Sequence, residues 1–374
     1  MTITIQREVF TSILQLAAGA VEKKSHMPIM SNILLNFEGD FLKITGSDLE
    51  TEITAQEKLS TLTHPLRITV PCDKLINICK SLPEKTDIKF SLEDNNLYVR
   101  NGRSKFKLNT LPADDYPNIE EYDEAQEVLL TQSQLKRLLD RTQFAMAHQD
   151  VRFYLNGMLW AFDKNRFTTV CTDGHRLAKC DLLLDKRVEK PIKIIVPGKA
   201  IHELSKLISY SSEPITLLLS EHDVKVKTSK FTFISKLVDG KYPDYERVIP
   251  KDCVREIVSS REELRYALNR AAILSNDKVR SVLLSVNGNA MKIVANNLEQ
   301  EQAEEDIAVS YEGGLFEIGF NYEYIVDVLS VLQSKNVMLR FNELNIVLIE
   351  EVINSEDNSH CIDDSTYVIS PMRI

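Results

Sequence analysis

The sequence predicts an α+β protein made of three consecutive copies of one helix-and-sheet domain. Residue pairs of the first third return 126 positions later: Val70-Pro71 as Val196-Pro197, and Tyr116-Pro117 as Tyr242-Pro243. Asp48 returns as Asp173, and a weaker third copy follows at residues 295–299 and 316–320. Repeats of this length are whole domains, and 374 residues are enough to form three separate cores.

Each third begins with an amphipathic helix, predicted over residues 6–24, 133–147 and 261–275. In the third of these helices, Leu264, Ala267, Leu268 and Ala271 recur at helical spacing. Ser133 and Ser260 are the predicted N-caps of the second and third helices.

Segments that alternate apolar and polar residues follow each helix and predict antiparallel strands with one solvated face, such as residues 225–233. A second helix is then predicted in each third, over residues 73–82, 199–210 and 322–335, and further strands follow it. Each domain therefore uses a helix-plus-strands unit twice, which gives six such units in the chain.

Two polar stretches predict the linkers between domains, namely residues 120–127 and the segment around Pro250-Lys251-Asp252. We therefore expect domains at residues 1–125, 126–253 and 254–374. Residues 354–365 are polar and acidic, which predicts a long surface loop before a last strand.

The bulk composition, with 43% hydrophobic and 27% charged residues, indicates a soluble globular protein, and its scattered thiols indicate the cytoplasm. No apolar run reaches membrane-spanning length, and the first residues have neither the basic start nor the apolar stretch of a secretory signal. The six cysteines are scattered, form no Cys-x-x-Cys pair and do not cluster with histidines. We therefore expect no disulfide framework, no metal and no cofactor.

The net charge of −10 argues against a nucleic-acid-binding protein, because phosphate binding requires basic residues. However, the six predicted helices together carry five more Lys and Arg than Asp and Glu, so the remaining residues carry −15. Either helices merely tolerate basic side chains well, or one helical face is basic and attracts phosphates.

The most enzyme-like string is ThrAspGlyHisArg at residues 172–176. In a hydrolase, His175 would be the base and Asp173 its orienting carboxylate, but neighbours on a turn rarely face each other, and no nucleophile motif accompanies them. The acidic run at residues 299–306 is either a solvated segment or an interface partner for Lys74, Arg103 and Lys105.

Several long strings in chain order resemble the bacterial sliding clamp, the beta subunit of DNA polymerase III. They are LeuProAlaAspAspTyrPro, residues 144–158, ThrAspGlyHisArgLeuAla, residues 235–245, ArgAlaAlaIleLeuSerAsn and the C-terminal ProMetArgIle. The match runs from one end of the chain to the other.

This resemblance implies a processivity factor rather than an enzyme. Three copies of the DNA-clamp fold, each with two helices packed on antiparallel sheets, would form half of a closed ring. A head-to-tail homodimer would close this ring around double-stranded DNA without reading its sequence. The implied partners are the polymerase III alpha subunit, the clamp-loader delta subunit, and other DNA polymerases and repair proteins with clamp-binding peptides.

The resemblance also assigns three sets of residues. The partner-peptide pocket would comprise Arg152, Leu155, Thr172, Gly174, His175, Arg176, Leu177, Pro243, Arg247, Val248, Val368, Ile369, Ser370, Pro371, Met372 and Arg373. DNA-facing positions would be Lys24, Lys80, Gln149, Phe153, Tyr154 and Lys199. The dimer interface would comprise Lys74, Arg103, Lys105, Phe106, Leu108, Ile273, Leu274, Glu299, Glu301 and Glu304.

Three positions depart from the family pattern. Ser370 stands where a methionine is common and Val279 where an aromatic is common, which leaves the peptide preference open. Gly198 occupies a position that is often basic, so one expected phosphate contact is lost. The alternatives to a clamp are the hydrolase that uses Asp173 and His175, and a repeat scaffold that binds only proteins.

Overall fold

A computed structural model describes residues 2–22, 26–119, 126–276, 278–352 and 365–373, with the side chains of residues 60–64 excepted. The chain divides into two compact units. The first unit comprises residues 1–133 and 202–237, and the second comprises residues 134–201 and 238–374. The predicted domain boundaries remain predictions, since these two units group the three sequence repeats differently.

The described ranges contain six α-helices, each of which follows directly on a strand. The helices are α1 (Arg7–Ala17), α2 (Cys72–Ser81), α3 (Gln132–Thr142), α4 (Gly198–Leu207), α5 (Arg261–Ala271) and α6 (Tyr322–Val331). The strands that immediately precede them end at Gln6, Pro71, Thr131, Pro197, Ser260 and Asn321. The prediction of six helix-plus-strands units is therefore confirmed.

The first unit contains two sheets, one of four strands in the order β1-β4-β5-β6 and one of seven strands. The larger sheet has the order β2-β3-β15-β14-β13-β8, with β7 paired to β3. Their strands are β1 (Thr2–Gln6), β2 (Asn32–Ser47), β3 (Thr51–Pro71), β4 (Asp87–Glu93), β5 (Asn96–Asn101), β6 (Ser104–Asn109), β7 (Leu111–Pro112), β8 (Gln126–Thr131), β13 (Pro214–Leu219), β14 (Asp223–Lys227) and β15 (Phe231–Lys236).

The second unit contains one continuous antiparallel sheet of twelve strands in the order β12-β9-β10-β11-β23-β22-β21-β16-β19-β18-β17-β20. Its strands are β9 (Gly157–Asp163), β10 (Arg166–Thr172), β11 (Arg176–Leu183), β12 (Ile192–Pro197), β16 (Arg255–Ser260), β17 (Ser281–Asn287), β18 (Ala290–Asn296), β19 (Gln302–Ser310), β20 (Phe316–Asn321), β21 (Asn336–Phe341), β22 (Val347–Glu351) and β23 (Ser365–Ile369).

Helix ends were the least accurate part of the sequence prediction. Ser260 caps α5 as expected, because its side chain accepts a hydrogen bond from the Glu263 amide. Ser133 is not an N-cap: α3 begins one residue earlier, and the Ser133 amide instead donates to the Ser211 carbonyl. A backbone carbonyl in the segment before Pro214 thus accepts the hydrogen bond that a capping side chain would otherwise accept from this amide.

Five of the six predicted helices were also too long, which changes the charge count. Helix α6 ends at Val331, before Lys335, and its charged residues are Glu323 and Asp327. The charge predicted over residues 322–335 was already −1, and the shorter α6 carries −2.

Helix α1 packs closely on β2 at Gly46. A Cβ atom at this position would lie 2.1 Å from the Ala17 carbonyl oxygen, so only glycine permits this approach. Buried side chains of α1, among them Phe10 and Leu14, extend the core between helix and sheet. None of the helices in the described ranges has the length and apolar character needed to span a membrane.

Candidate peptide-binding groove

The second unit contains an open groove of about 1130 Å³. It lies beside the end of β10, the start of β11 and the end of β23. The segment 243–254 and the turn between β21 and β22 form its other side. Its walls are formed by Arg152, Leu155, Thr172, Gly174, His175, Arg176, Leu177, Pro243, Asp244, Tyr245, Arg247, Val248, Ile249, Pro250, Lys251, Asp252, Val254, Asn342, Glu343, Leu344, Ile346, Val368 and Ser370.

The floor of the groove is apolar and belongs to the core. Leu155, Leu177 and Val368 are at most 4% exposed and share one buried cluster with Tyr242 and Leu348. Tyr245, Ile249 and Ile346 are partly buried and pack against the same cluster. Burial also raises the pKa of Tyr245 to about 12, so this side chain is neutral at physiological pH.

The turn between β10 and β11 is held by the Asp173 carboxylate. Its Oδ1 accepts hydrogen bonds from the amides of His175 and Arg176, both at 2.9 Å. The Thr172 hydroxyl accepts from the Gly174 amide at 3.1 Å and donates to the Arg176 carbonyl at 2.6 Å. Gly174 has a φ of 91°, a conformation that favours glycine. These bonds fix a groove wall before any ligand arrives.

Arg152 closes one side of the groove and is held by Asp150. The guanidinium makes two bonds to this carboxylate, Nε to Oδ1 at 3.0 Å and Nη2 to Oδ2 at 2.8 Å, and a third to the Asp173 carbonyl at 3.2 Å. The hydrogen bonds from Arg152 lower the pKa of Asp150 to about 2. Asn156 in turn bonds the amide and carbonyl of Asp150, so the whole loop is braced.

Arg176 joins the groove to helix α6. It donates to Asp327 Oδ2 at 2.5 Å and to the Phe144 carbonyl at 2.6 Å, and its guanidinium lies 4.5 Å from the centre of the Tyr324 ring. Asp173 Oδ2 accepts a further bond from Arg176 Nε at 3.2 Å. Arg176 is thus a half-buried connection between the second and third repeats.

The groove brings together most of the residues predicted for the pocket. Those that line it are Arg152, Leu155, Thr172, Gly174, His175, Arg176, Leu177, Pro243, Arg247, Val248, Val368 and Ser370. The remaining four, Ile369, Pro371, Met372 and Arg373, do not line it. Ile369 is fully buried in the sheet opposite Arg176, and Met372 forms a β-bridge to Gly319.

Sequence reasoning missed the far wall of the groove. The segment around Pro250 was interpreted only as a linker, although the apolar residues Ile249 and Val254 flank it. Leu344 was also missed, although a leucine inside the polar string AsnGluLeuAsn is an unusual turn residue and was an available signal. Asp150 was missed because a carboxylate two residues from an arginine is not a distinctive pattern.

The first repeat contains the same turn but lacks the equivalent apolar floor residue. Asp48 Oδ1 accepts from the amides of Glu50 and Thr51, as Asp173 does 125 positions later. However, Glu52 occupies the position that corresponds to Leu177, and its buried carboxylate accepts from the Ile119 amide at 3.1 Å. A polar bond therefore stands in the first repeat where the second has an apolar floor.

The residues predicted to face DNA are mostly exposed. Lys80 and Lys199 are exposed on α2 and α4, Gln149 is exposed with a φ of 55°, and Phe153 is 57% exposed. Tyr154 is half-buried and packs edge-to-face against Phe153 at 5.9 Å. Lys24 lies outside the described residues.

The residues predicted for the dimer interface differ in burial. Ile273 is 78% exposed, Phe106 and Leu274 are half-buried, and Leu108 is only 6% exposed. The charged members, Lys74, Arg103, Lys105, Glu299, Glu301 and Glu304, are all exposed.

Two of the positions that depart from the family pattern lie outside the groove. Val279 is exposed but does not line the groove. A Cβ at Gly198 would lie 2.7 Å from the Asn156 carbonyl oxygen.

The groove has the chemistry of a binding site rather than of a catalyst. The Asp173 carboxylate is used by its own turn and by Arg176, so it does not orient His175 as a base. Within the described ranges, no three His, Cys, Asp or Glu side chains are placed to hold a metal ion. Three helix-and-sheet repeats with such a groove define a non-enzymatic binding protein of the clamp class.

Models of the DNA polymerase III beta subunit match nearly the whole chain. The N-terminal domain matches residues 1–120, the central domain residues 129–244 and the C-terminal domain residues 246–373. The chain therefore belongs to the DNA polymerase III beta subunit family, the bacterial sliding clamps.

Two relatives and one solved structure illustrate the match. The Beta sliding clamp of Pseudomonas putida is 46% identical and that of Escherichia coli 40% identical, each over 375 residues and all of both chains. A crystal structure of a sliding clamp from Pseudomonas aeruginosa bound to griselimycin has a TM-score of 0.94 at 45% identity, with full coverage of both chains.

Family membership settles the choice among the alternatives. The chain has three clamp domains that mix helices with open antiparallel sheets. It is a non-catalytic processivity subunit in DNA replication. The hydrolase alternative with Asp173 and His175 is therefore wrong, and so is the protein-only scaffold.

Proposed function

We propose that two copies of this chain join head to tail into a closed cytoplasmic ring around duplex DNA. The ring tethers the polymerase III alpha subunit, the clamp-loader delta subunit, and other DNA polymerases and repair proteins. Each partner inserts a short peptide into the groove described above. The single observation that carries this proposal is the groove itself, because a preformed apolar floor with fixed polar walls fits a short peptide.

The floor suits one or two apolar side chains of a partner. Burying a Leu or Phe side chain there contributes about 1.5–3 kcal/mol. Peptide binding loses little conformational entropy of the groove walls, since the Asp173 turn and the Arg152–Asp150 pair are already formed without a ligand. Tethering then makes each rebinding of the polymerase intramolecular, at a high effective concentration.

The two repeat junctions inside the chain provide a template for the dimer joint. In the first unit β3 pairs with β15, with Thr51 opposite Ser235; in the second unit β11 pairs with β23, with Arg176 opposite Ile369. Thr51 and Arg176 occupy equivalent positions, since each donates its amide to the Asp of its own turn. Both junctions therefore have the same register.

The third copy of this pairing requires a second chain. Among the described strands β6 bonds only to β5, and residues 302–308 of β19 bond only to β18. Both edges therefore offer free backbone groups for strand pairing. The strands β6, β15 and β23 correspond through their aromatic residues Phe106, Phe233 and Tyr367, which each lie opposite an apolar residue of the neighbouring strand, namely Val99, Val226 and Ile349.

This equivalence predicts the register across the joint. Leu108 corresponds to Ser235, and Glu301, whose amide bonds the turn residue Asn297, corresponds to Thr51. Leu108 would then lie opposite Glu301 of the partner subunit, and Lys105 opposite Glu304 of the partner subunit. The basic β6 edge and the acidic β19 edge are complementary in charge, which supports a head-to-tail joint.

A ring also reconciles DNA binding with the net charge of −10. Topological enclosure does not need tight phosphate binding. A few exposed groups such as Lys80, Lys199 and Gln149 are sufficient for contacts that do not depend on sequence.

Retention on circular DNA tests the proposal. The chain is loaded with its clamp loader and ATP onto nicked circular duplex DNA, and the complex is separated by gel filtration. We expect the protein to stay on the circle and to leave after a restriction enzyme linearises it. Equal retention on circular and linear DNA would indicate ordinary DNA binding and contradict the ring.

A further inference from the structure

The groove continues beyond its apolar floor onto a surface that we call the shelf. Six groove-lining residues form the shelf: Lys251, Asp252, Val254, Asn342, Glu343 and Leu344. Three of them belong to the segment before β16 and three to the turn between β21 and β22. The shelf is therefore continuous with the groove but contributes none of the residues predicted for the pocket.

The shelf is rigid. The Asn342 amide donates to the Ile346 carbonyl at 3.2 Å, and the Asn345 amide donates to the Asn342 carbonyl at 3.0 Å. The Asn342 side chain accepts from the Ile346 amide at 2.9 Å. The Val254 amide donates to the Phe341 carbonyl at 2.7 Å, which ties the other segment to β21. Binding there requires little ordering of the protein.

Two apolar side chains on this rigid surface are open to solvent. Leu344 is 75% exposed and Val254 is 54% exposed, although both line the groove. Neither residue packs into the core cluster below the floor. Exposed apolar groups that border a binding groove indicate a surface covered by a ligand.

The charges of the shelf indicate what covers it. Asp252 and Glu343 supply two carboxylates and Lys251 one ammonium group, and no ion pair of the described residues engages either carboxylate. Arg247, the nearest groove arginine in sequence, is paired with Asp244 at 2.7 Å. The shelf is therefore apolar with a net negative charge.

We propose that the shelf binds the partner residues that flank the groove-bound peptide. The flanking segment places an apolar side chain against Leu344 and Val254, and a Lys or Arg next to Asp252 and Glu343. This inference rests on the proposed function of the groove and adds the chemistry of the flank to it. Partners that share the same core peptide would then differ in affinity through their flanks.

Peptide binding measured by fluorescence anisotropy tests the shelf. The probes are fluorescein-labelled peptides with a Leu-Phe core, either alone or extended at one end by Leu-Lys-Lys or by Leu-Glu-Glu, with both ends tried. For the productive end we expect the Lys extension to improve the Kd about threefold over the core peptide and the Glu extension to weaken it. The double variant Asp252→Asn with Glu343→Gln should remove the difference between the two extensions, and Leu344→Ser should remove the gain from the leucine.

The control variant is Glu312→Gln, which changes an exposed carboxylate outside the groove and should leave all three affinities unchanged. Equal binding of the Lys and Glu extensions at both ends, with intact binding of the core peptide, would overturn the shelf proposal alone. Failure of the core peptide to bind would instead refute the groove proposal. A Leu344→Ser chain with an altered sedimentation coefficient would identify the shelf as a self-contact, which also overturns it.

Discussion

Asp150 is the residue whose role the structure most clearly adds to the pocket. It does not line the groove, yet it holds Arg152 by two side-chain bonds and by a backbone bond to the Arg152 amide at 2.8 Å. The Arg152 guanidinium lies 3.1 Å from where a Cβ of Gly174 would be. Asp150 is therefore a positioning residue for one groove wall.

Asp150→Ala should weaken partner-peptide binding about threefold, because a freed Arg152 must be ordered again when the peptide binds. The affinity of Asp150→Asn should lie between those of wild-type and Asp150→Ala, since asparagine keeps an acceptor for the Arg152 amide but loses the ion pair. Anisotropy titration with the core peptide measures both. Unchanged affinity in the alanine variant would show that Arg152 needs no brace.

The pH dependence of this pair follows from the lowered pKa of Asp150, about 2 against an ordinary value of 3.8. A lowered pKa means that the ion pair is fully formed above pH 3.8 and is lost only as the pH falls towards 2. We therefore expect the ratio of the peptide affinities of wild-type and Asp150→Ala, measured by anisotropy titration, to be constant between pH 5 and pH 8.

At the scale of the element, the contact of α1 with β2 depends on Gly46. Gly46→Ala would place a methyl group 2.1 Å from the Ala17 carbonyl oxygen, so helix and strand must separate. We expect a loss of about 1–3 kcal/mol in the free energy of unfolding, as for other overpacked sites. Urea denaturation followed by circular dichroism measures it.

Gly314→Ala is the matched control, because a Cβ there meets no atom within 4 Å and its φ is not in the left-handed region. It should leave the free energy of unfolding within about 0.5 kcal/mol of wild-type. Similar losses in both variants would mean that the packing at Gly46 is not specific.

A charge exchange tests the register proposed between strands β6 and β19. Lys105→Glu should weaken the dimer by placing a like charge opposite Glu304 of the partner subunit, by roughly 0.2–1 kcal/mol or more. Adding Glu304→Lys should restore much of the dimer affinity, although it also breaks the Glu304–Lys292 pair within the chain. Sedimentation across a dilution series compares the three chains; no recovery in the double variant would argue for another register.

Elements were predictable where a pattern repeats, and less so where a tertiary contact decides. The offset between Asp48 and Asp173 revealed equivalent turns, which make the same carboxylate-to-amide bonds. Helix ends were misplaced because helices follow strands without a loop, as at Ser133. Most of the far groove wall could not be predicted, since the segments that carry Val254 and Leu344 are brought together by the pairing of β16 with β21.

At the scale of the whole molecule, the proposed ring depends on an apolar contact as well as on strand edges. Ile273 is 78% exposed and Leu274 half-buried in a short turn after α5. Ile273→Ala with Leu274→Ala should shift the dimer towards monomer in sedimentation, with little change in circular dichroism. A dimer of unchanged affinity would remove these residues from the interface.

The family, the three repeats and most of the groove could be inferred from the sequence, because long strings and a fixed offset identify them. The overall charge could not reveal the function, since a net of −10 conceals exposed bases at particular positions such as Lys80 and Lys199. The grouping of residues 202–237 with the N-terminal unit depends on sheet pairing that no local pattern encodes.

The open edges of β6 and β19 have a further consequence for the newly made chain. Until a second copy arrives, each molecule exposes one basic and one acidic strand edge that complement each other. Two edges on one molecule permit growth into open chains as well as closure. Closure into a pair would cover both of these edges at once, while Lys105 and Lys107 on β6 repel other β6 edges. In the proposed ring, the charges that favour the partner edge would thus also limit aggregation of the free chain.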